Sequence, residues 1–351
     1  MFRNLQTDKF NRTSFEVNNV DLSIVNAIRR IILTDIPVIA FDGEEHPSLK
    51  IIKNDGPLHN EFILHRFGLI PIHFSEEETD NFVPEDYTFE LKVTNEGAKT
   101  LNVTSHDIIV YKNGTAMSSK DTVRLFPPNA ITKDFILITR VRKGESLHVT
   151  GQVVKSTARD HAGFSPVSLC NFRLVQDPVE STKAQGILDK ERAFMKDKYG
   201  DPTSYIFDIE TETGLGVKYL VQTAIDILAT KVNKVLQDIG NDDSEDITKT
   251  LDNGMEFTFQ DEDDTLGCYL QSCLHSHYIR NANITAMNKE VTYAGYYCPH
   301  PLDNVMKIKL CIGDGDTEAS QEEYIEVMTE QCRRCIAELE HIKAEWIKLN
   351  S

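Results

Sequence analysis

No cysteine occurs in residues 1–169, tryptophan occurs once, and no stretch approaches 18 consecutive apolar residues. The first absence leaves the N-terminal half without thiolates to hold a zinc ion or an iron–sulfur cluster. The last excludes a transmembrane helix, which needs about 20 predominantly apolar residues in a row. Met1 to Phe15 also lacks the basic start and apolar run of a secretory leader. Basic side chains are scarce: 37 Lys and Arg face 55 Asp and Glu, for a net charge of −18. Binding to a phosphate backbone is dominated by Lys and Arg, so direct nucleic-acid binding is not expected. A phosphate-cradling Gly-x-x-x-x-Gly-Lys-Ser/Thr loop is missing, as is an Asp-x-Asp run with the acidic flanks that two-metal phosphoryl transfer needs. With 18 Gly and 12 Pro the chain is far from collagen-like or low-complexity sequences. What is there is an ordinary globular composition, 40% hydrophobic over 351 residues, enough for about two domains with sizeable cores. The seven cysteines are an odd number, and all but Cys170 lie at or beyond Cys268, which fits a reduced intracellular compartment.

The clearest break is the acidic, polar stretch from Gly240 to Asp246, which predicts a linker over 241–253. Ahead of it, Val221, Ile225, Leu228, Val232, Val235 and Ile239 recur at spacings of three and four, one apolar stripe on a helix over Val217–Ile239. Near the C-terminus Ile325, Met328, Cys332, Cys335, Leu339, Ile342 and Trp346 repeat likewise over Glu318–Lys348. That is the heptad spacing of a seam packed along another helix. At ~1.5 Å per residue the element is about 45 Å long, more than a small module can cover by itself. Two readings stay open: the stripes pair with each other, or each packs on its own sheet.

Between the stripes, Phe257 and Phe259 alternate as a strand, Asp264 or Thr265 caps a helix from Leu266, and Met306, Ile308, Leu310 and Ile312 alternate again before a Gly313–Asp316 turn. In the first half, Leu22, Val25, Ile28 and Ile32 make a short amphipathic helix stopped by Pro37. From about Ala40 to Ser165, short alternating segments such as Phe89, Leu91 and Val93 predict an all-β insertion.

Few residues point to chemistry. Cys332-x-x-Cys335 elsewhere signals zinc or thiol redox work, but both thiols fall on the apolar stripe and the other ligands of a four-ligand zinc site are not in sight. His65, His161, His275, His277 and His300 could each be cast as a general base, yet none has a nucleophile and an orienting carboxylate in a recognised spacing. A stand-alone cysteine/histidine hydrolase, acting through Cys170 beside His161, is the enzyme alternative. The run Asp261, Glu262, Asp263, Asp264 reads as helix caps more readily than as magnesium ligands. Asn26, Arg29 and Arg30 read equally as a solvated face or as rigid guanidinium forks for an interface.

These last residues carry a resemblance. Asn-Ala-Ile-Arg-Arg-Ile-Ile-Leu with the following Ile-Pro (Asn26 to Pro37), Asn-Glu-Phe-Ile-Leu-His-Arg-Phe-Gly-Leu-Ile-Pro-Ile (Asn60 to Ile72) and His161 to Val167 resemble the third-largest subunit of eukaryotic RNA polymerase II. Its archaeal counterpart and the N-terminal domain of the bacterial alpha subunit are similar to it. Phe257 to Gly267 and Ala294 to Leu302 resemble the eleventh subunit, which has a smaller archaeal counterpart of its own. The resemblance covers nearly the whole chain and implies an α+β fold: two alpha-subunit-like dimerisation modules paired within one chain, with a β-rich insertion domain in the first. The expected boundaries are 1–39 with 166–240 for the first module, 40–165 for the insertion, 241–253 for the linker and 254–351 for the second module.

A fusion of this kind is typical of large DNA viruses that encode their own polymerase, which implies work in the host cytoplasm and presence in the virion. The implied function is a non-catalytic assembly platform that docks the second-largest and largest polymerase subunits, with small zinc-binding subunits resembling the tenth and twelfth as further partners, and no membrane. Asn26, Arg29, Arg30, Glu61, Arg66 and Gly68 match segments facing the second-largest subunit, so charge reversal at Arg29 and Arg30 is expected to leave the chain folded and abolish that contact. No metal and no cofactor are expected, because the cysteine-rich zinc loop of many third subunits has no counterpart here. Where the family has His-Ala-Lys, this chain has His161-Ala162-Gly163.

Overall fold

The computed structural model describes residues 1–9, 11–43, 49–240, 247–250, 254–280, 290–300, 302–313 and 319–350. The chain opens with a hairpin of β1 (Phe2–Thr7) and β2 (Arg12–Asn18), and β2 buries Phe15 and Val17 on one face. Asp21 then caps α1 (Leu22–Thr34), accepting a hydrogen bond from the Ser23 amide at 2.8 Å. The helix buries Ile24, Val25, Ile28, Ile31 and Ile32 and ends ahead of Pro37, which has no amide hydrogen to continue it.

The insertion follows as β3 (Val38–Ala40), β4 (Leu49–Asn54), α2 (Asn60–Gly68), α3 (Glu76–Asp80), β5 (Tyr87–Thr94), β6 (Leu101–Thr104), β7 (Ile108–Lys112), β8 (Thr115–Ala116), α4 (Ser119–Leu125), β9 (Leu137–Val141), β10 (Ser146–Gly151) and β11 (Val154–Ser156). Five strands form one antiparallel sheet in the order β4-β10-β5-β7-β8, and β6-β9 and β11-β3 form two small ladders. The expectation of an all-β insertion is corrected here by α2, α3 and α4. Each is set by local signals that strand alternation hides: α2 buries Ile63 and Phe67 one turn apart, α3 starts on a Ser75–Glu78 capping box, and Ser118 caps α4. This region has its own core, in which Phe67 meets Phe41 edge-to-face at 5.4 Å and Phe41 meets Phe89 at 5.1 Å.

The chain returns through β12 (Val167–Leu174), two short helices α5 (Pro178–Lys183) and α6 (Ile187–Arg192), and β13 (Ser204–Thr211). These strands complete a sheet ordered β1-β2-β13-β12, and α7 (Val217–Gly240) closes this half. The second half repeats the plan with β14 (Ile247–Lys249), β15 (Met255–Gln260), α8 (Asp264–Leu274), β16 (Val291–Tyr297), β17 (Val305–Ile312) and α9 (Gln321–Asn350), its sheet ordered β14-β15-β17-β16. Of the expected linker, residues 241–246 and 251–253 lie outside the described residues. Ile247–Lys249 is a strand, with Ile247 opposite Phe257 and Lys249 opposite Met255, because the edge of β15 offers it backbone partners. Of the expected Gly313–Asp316 turn, 314–316 also lie outside the described residues.

One apolar core runs through both halves. Helices α7 and α9 pack along each other, α7 also touches α1 and α8, and α9 also touches α8 and β1. Of the two readings left open, the stripes therefore pair, and the end of α9 reaches the sheet of the other half besides.

Candidate assembly interface

The seam is built from fully buried side chains. Val221, Ile225, Leu228, Val232 and Val235 on α7 meet Met328, Cys332, Leu339, Ile342 and Trp346 on α9, all at most 1% exposed. Ile325 is only half-buried, and Tyr324 takes the buried position instead. The reason is helical geometry: a straight helix drifts about 20° per heptad from a 3.5-residue repeat, so three heptads before Trp346 the core-facing position has moved toward Tyr324. Cys332 and Cys335 are both inside the seam, and burial pushes the Cys332 thiol up to about 12. Across the seam, the Lys343 ammonium donates to both carboxylate oxygens of Asp226 at 2.6 and 2.8 Å, and the Trp346 indole donates to the Lys218 carbonyl at 3.0 Å. The Trp346 ring lies 5.0 Å from Phe2 and 4.9 Å from Phe15, on the first sheet.

A second joint, made of charges, lies where α1, α7, the root of the insertion and the start of α8 converge. The Arg159 guanidinium grips Asp35, the C-cap of α1, at 2.7 and 3.1 Å and reaches Asp263 at 2.9 Å. The Lys231 ammonium on α7 sits 3.0 Å from Glu262 and 3.6 Å from Asp35. Burial holds the Glu262 carboxyl above its ordinary range against the pull of Lys231. Burial also works to raise Asp263, but hydrogen bonds from Thr265 and the Arg159 guanidinium outweigh it and leave this carboxyl low. Asp263 caps α8 by accepting from the Thr265 amide at 2.9 Å. Capping accounts for Asp263, and a role invisible in the local sequence, answering cations from the first half, accounts for Glu262.

Arg30 belongs to this joint. Its Nε donates to the Thr265 hydroxyl at 2.8 Å and its guanidinium lies 3.7 Å from Asp263, so a carboxylate there would oppose Asp263 within the chain. The expectation that reversing both arginines leaves folding intact is therefore restricted to Arg29. That side chain is half-buried and held by Asn26, whose side-chain oxygen accepts from Nε at 3.0 Å. On α2, Ile63 and Phe67 face the insertion core while Glu61, Phe62 and Arg66 face outward, and the C-cap Leu69 is exposed beyond them; Phe62 is 61% and Leu69 56% exposed. Arg66 donates to the Leu137 carbonyl at 2.6 Å, which fixes it over β9. The exposed apolar residues here, Phe62 and Leu69, belong to the segment that carries the resemblance but were not among its expected interface contacts; their signal was two large apolar side chains beside the polar residues of a short helix.

Gly68 has no side chain to offer a contact. It is buried where three backbones cross: a Cβ on Gly68 would lie 3.0 Å from the Gly43 Cα, and a Cβ on Gly163 would lie 2.4 Å from the Gly68 carbonyl oxygen. The place of the family's lysine is thus closed in this chain to any side chain. Gly163→Ala is expected to cost about 1–3 kcal/mol through forced backbone shifts. Denaturant unfolding measures it, and an unchanged midpoint would show that the crossing has room for a methyl group.

Cys170, the thiol that the hydrolase alternative requires, is buried and pushed up to about 12 by that burial, which leaves it protonated and inert. Among the described residues no helix is long and apolar enough to cross a membrane, and no group of three or more His, Cys, Asp or Glu side chains is placed to hold a metal ion.

Comparison with known proteins bears on this interface. Residues 14–232 match the family described as the RNA polymerase Rpb3/Rpb11 dimerisation domain, and residues 254–345 match a second family of the same description. The chain is similar to the DNA-directed RNA polymerases I and III subunit rpac1 of Dictyostelium discoideum, 28% identical over 204 residues that cover 53% of this chain and 57% of that protein. It is similar to the human RPAC1 subunit of the same polymerases, 28% identical over 198 residues covering 50% of this chain and 56% of the relative. It is also similar to the DNA-directed RNA polymerase subunit Rpo3 of Thermococcus kodakarensis, 26% identical over 260 residues covering 64% of this chain and 92% of the relative. The chain thus spans little more than half the length of the two eukaryotic relatives.

Proposed function

The chain belongs to the RNA polymerase Rpb3/Rpb11 dimerisation-domain family, and from that premise we propose that it is a non-catalytic assembly-platform subunit of a DNA-directed RNA polymerase. Two alpha-like modules, separate subunits in the resemblance, are joined here so that their pairing is intramolecular and independent of protein concentration. The observation that carries this reading is the single core formed by α7 and α9, closed by Trp346 on the opposite sheet. The paired modules present Asn26 with Arg29, and the outer face of α2, to the second-largest subunit; the largest subunit and small zinc-binding subunits resembling the tenth and twelfth complete the set. The joined arrangement is what a polymerase encoded by a large DNA virus would carry, acting in the host cytoplasm.

Affinity purification of the tagged chain from cells that make it, followed by identification of the retained proteins, tests the proposal: recovery without any large polymerase subunit would overturn it. Arg29→Glu is expected to keep the wild-type melting temperature and to weaken retention of the second-largest subunit at least tenfold, the scale of a well-packed interface arginine. Arg29→Lys, which keeps charge and loses the fork, is expected to fall between them. Equal retention of all three proteins would remove Arg29 from the interface.

A further inference from the structure

Helices α1 and α8 hold matching places in the two halves, each following the second strand of its sheet, β2 or β15, and they pack against each other. They run antiparallel: Arg30 near the end of α1 meets Thr265 at the start of α8, and Asp21, the cap of α1, meets Ser272 near the end of α8. Both are capped in the same way, with Asp263 Oδ1 accepting from the Thr265 amide at 2.9 Å and Asp21 Oδ1 from the Ser23 amide at 2.8 Å. The second oxygens differ. Asp263 Oδ2 is gripped at 2.9 Å by Arg159 from the root of the insertion. The bonds to Asp21 from the Ser23 hydroxyl and, at 3.1 Å, from the Ser272 hydroxyl also fall on Oδ1, so Oδ2 has no partner among the described residues. Only the first half has an insertion to supply such a grip: residues 35–166 separate α1 from β12, whereas 275–290 separate α8 from β16. Beside Asp21 there is instead a cleft of about 530 Å³. Its apolar walls, Leu22, Phe172 and Pro202 from one half and Cys268 from the other, come together only when the halves pair. Arg280 lines it too, but its guanidinium pairs with Asp201 and lies 5.3 Å from the centre of the Tyr199 ring. Asp21 is left without an ion pair among the described residues.

We propose that an arginine of another polymerase subunit enters this cleft, its stem on Leu22, Phe172 and Pro202 and its guanidinium on Asp21 Oδ2, as Arg159 sits on Asp263 at the other end of the helix pair. The proposal rests on the platform reading above and gives it a docking point that exists only on the paired halves. Chemistry selects the occupant. A carboxylate would meet Asp21 and Asp201, and an uncharged side chain would leave Asp21 unanswered in a covered cleft. An ammonium is a compact, strongly hydrated charge that gains little from apolar walls. A guanidinium is more weakly hydrated, its stem buries against apolar surface, and its fork suits a carboxylate.

The test uses the full chain with the polymerase subunits that co-purify with it. Asparagine caps a helix about as well as aspartate, so Asp21→Asn is expected to keep the wild-type melting temperature. Its affinity for one of those subunits is expected to fall at least about tenfold. Unchanged affinity overturns the proposal, while the platform reading stands on the wild-type chain. A wild-type chain that retains no polymerase subunits overturns both. A photo-crosslinker at Leu22, which is 41% exposed, then locates the contact in the assembled complex. Attachment beside an arginine of another subunit supports the docking point; attachment elsewhere, to this chain alone or to nothing overturns it. Alanine in place of that arginine is expected to reproduce the loss and to add nothing to Asp21→Asn, since a pair once broken cannot be broken again. Losses that add overturn the pairing, and this comparison decides equally if Asp21→Asn lowers the melting temperature.

Discussion

Leu339→Asp is expected to bring the folded chain to the edge of unfolding. The leucine is fully buried between α7 and α9. Shortening it removes packing worth about 2–5 kcal/mol. The carboxylate then sits in an apolar seam, and an uncompensated buried charge adds several kcal/mol or takes up a proton to escape. The sum approaches the whole stability of an ordinary domain, about 5–15 kcal/mol. Proton uptake gives the variant a signature. Its folded pKa lies above the unfolded value of ~3.9, so the folded state binds more protons between the two and its stability falls as pH rises through that window. Thermal melts at pH 4 and pH 8, followed by circular dichroism, are expected to show a deficit against the wild type that is larger at pH 8. Leu339→Met, close in volume, is expected to cost less than about 1.5 kcal/mol. A Leu339→Asp chain that melts with the wild type at both pH values would mean that the stripe is wet.

The seam is the part of the interface most legible from sequence, because apolar residues three and four apart mean a buried helix face whatever covers it. The same arithmetic errs only at its far end, where it puts Ile325 in the core and the structure puts Tyr324 there. The three helices of the insertion are hidden for the opposite reason: they are too short for periodicity, and their capping residues, Ser75 and Ser118, look like loop. The charged joint cannot be read at all. Arg159 finds Asp35 across 124 positions and Asp263 across 104, and nothing near any of the three announces the others. Gly163 shows a further limit: its departure from the family motif is visible, while the physical cause, a carbonyl from Gly68 occupying the space of any Cβ, exists only once distant backbones cross.

Trp346→Ala is expected to cost about 3–5 kcal/mol, the range for removing a large buried aromatic. It differs from Leu339→Asp in what it disconnects. Leu339 lies within the helix pair, whereas Trp346 carries the end of α9 onto the opposite sheet, between Phe2 and Phe15, and ties it to α7 through the Lys218 carbonyl. Trp346→Phe keeps an aromatic ring in the pocket and gives up the hydrogen bond and part of the volume, so it is expected to recover more than half of the loss. Denaturant unfolding of the three proteins measures both steps. This is also the only tryptophan in the chain, so its fluorescence reports the contact between the two halves directly. In the wild type, fluorescence is expected to coincide with the circular-dichroism transition of the two paired modules, which share one core separate from the insertion's own. An earlier fluorescence transition would mean that the end of α9 detaches before the halves unfold. At 1.4 kcal/mol per factor of ten, the alanine substitution weakens closure of the joint by about two to four orders of magnitude. Joining the halves in one chain supplies an effective concentration on the order of millimolar. That tether keeps the weakened halves within reach of each other, so the damage is expected to appear first as a lower midpoint and as loss of the large subunits that need the closed platform.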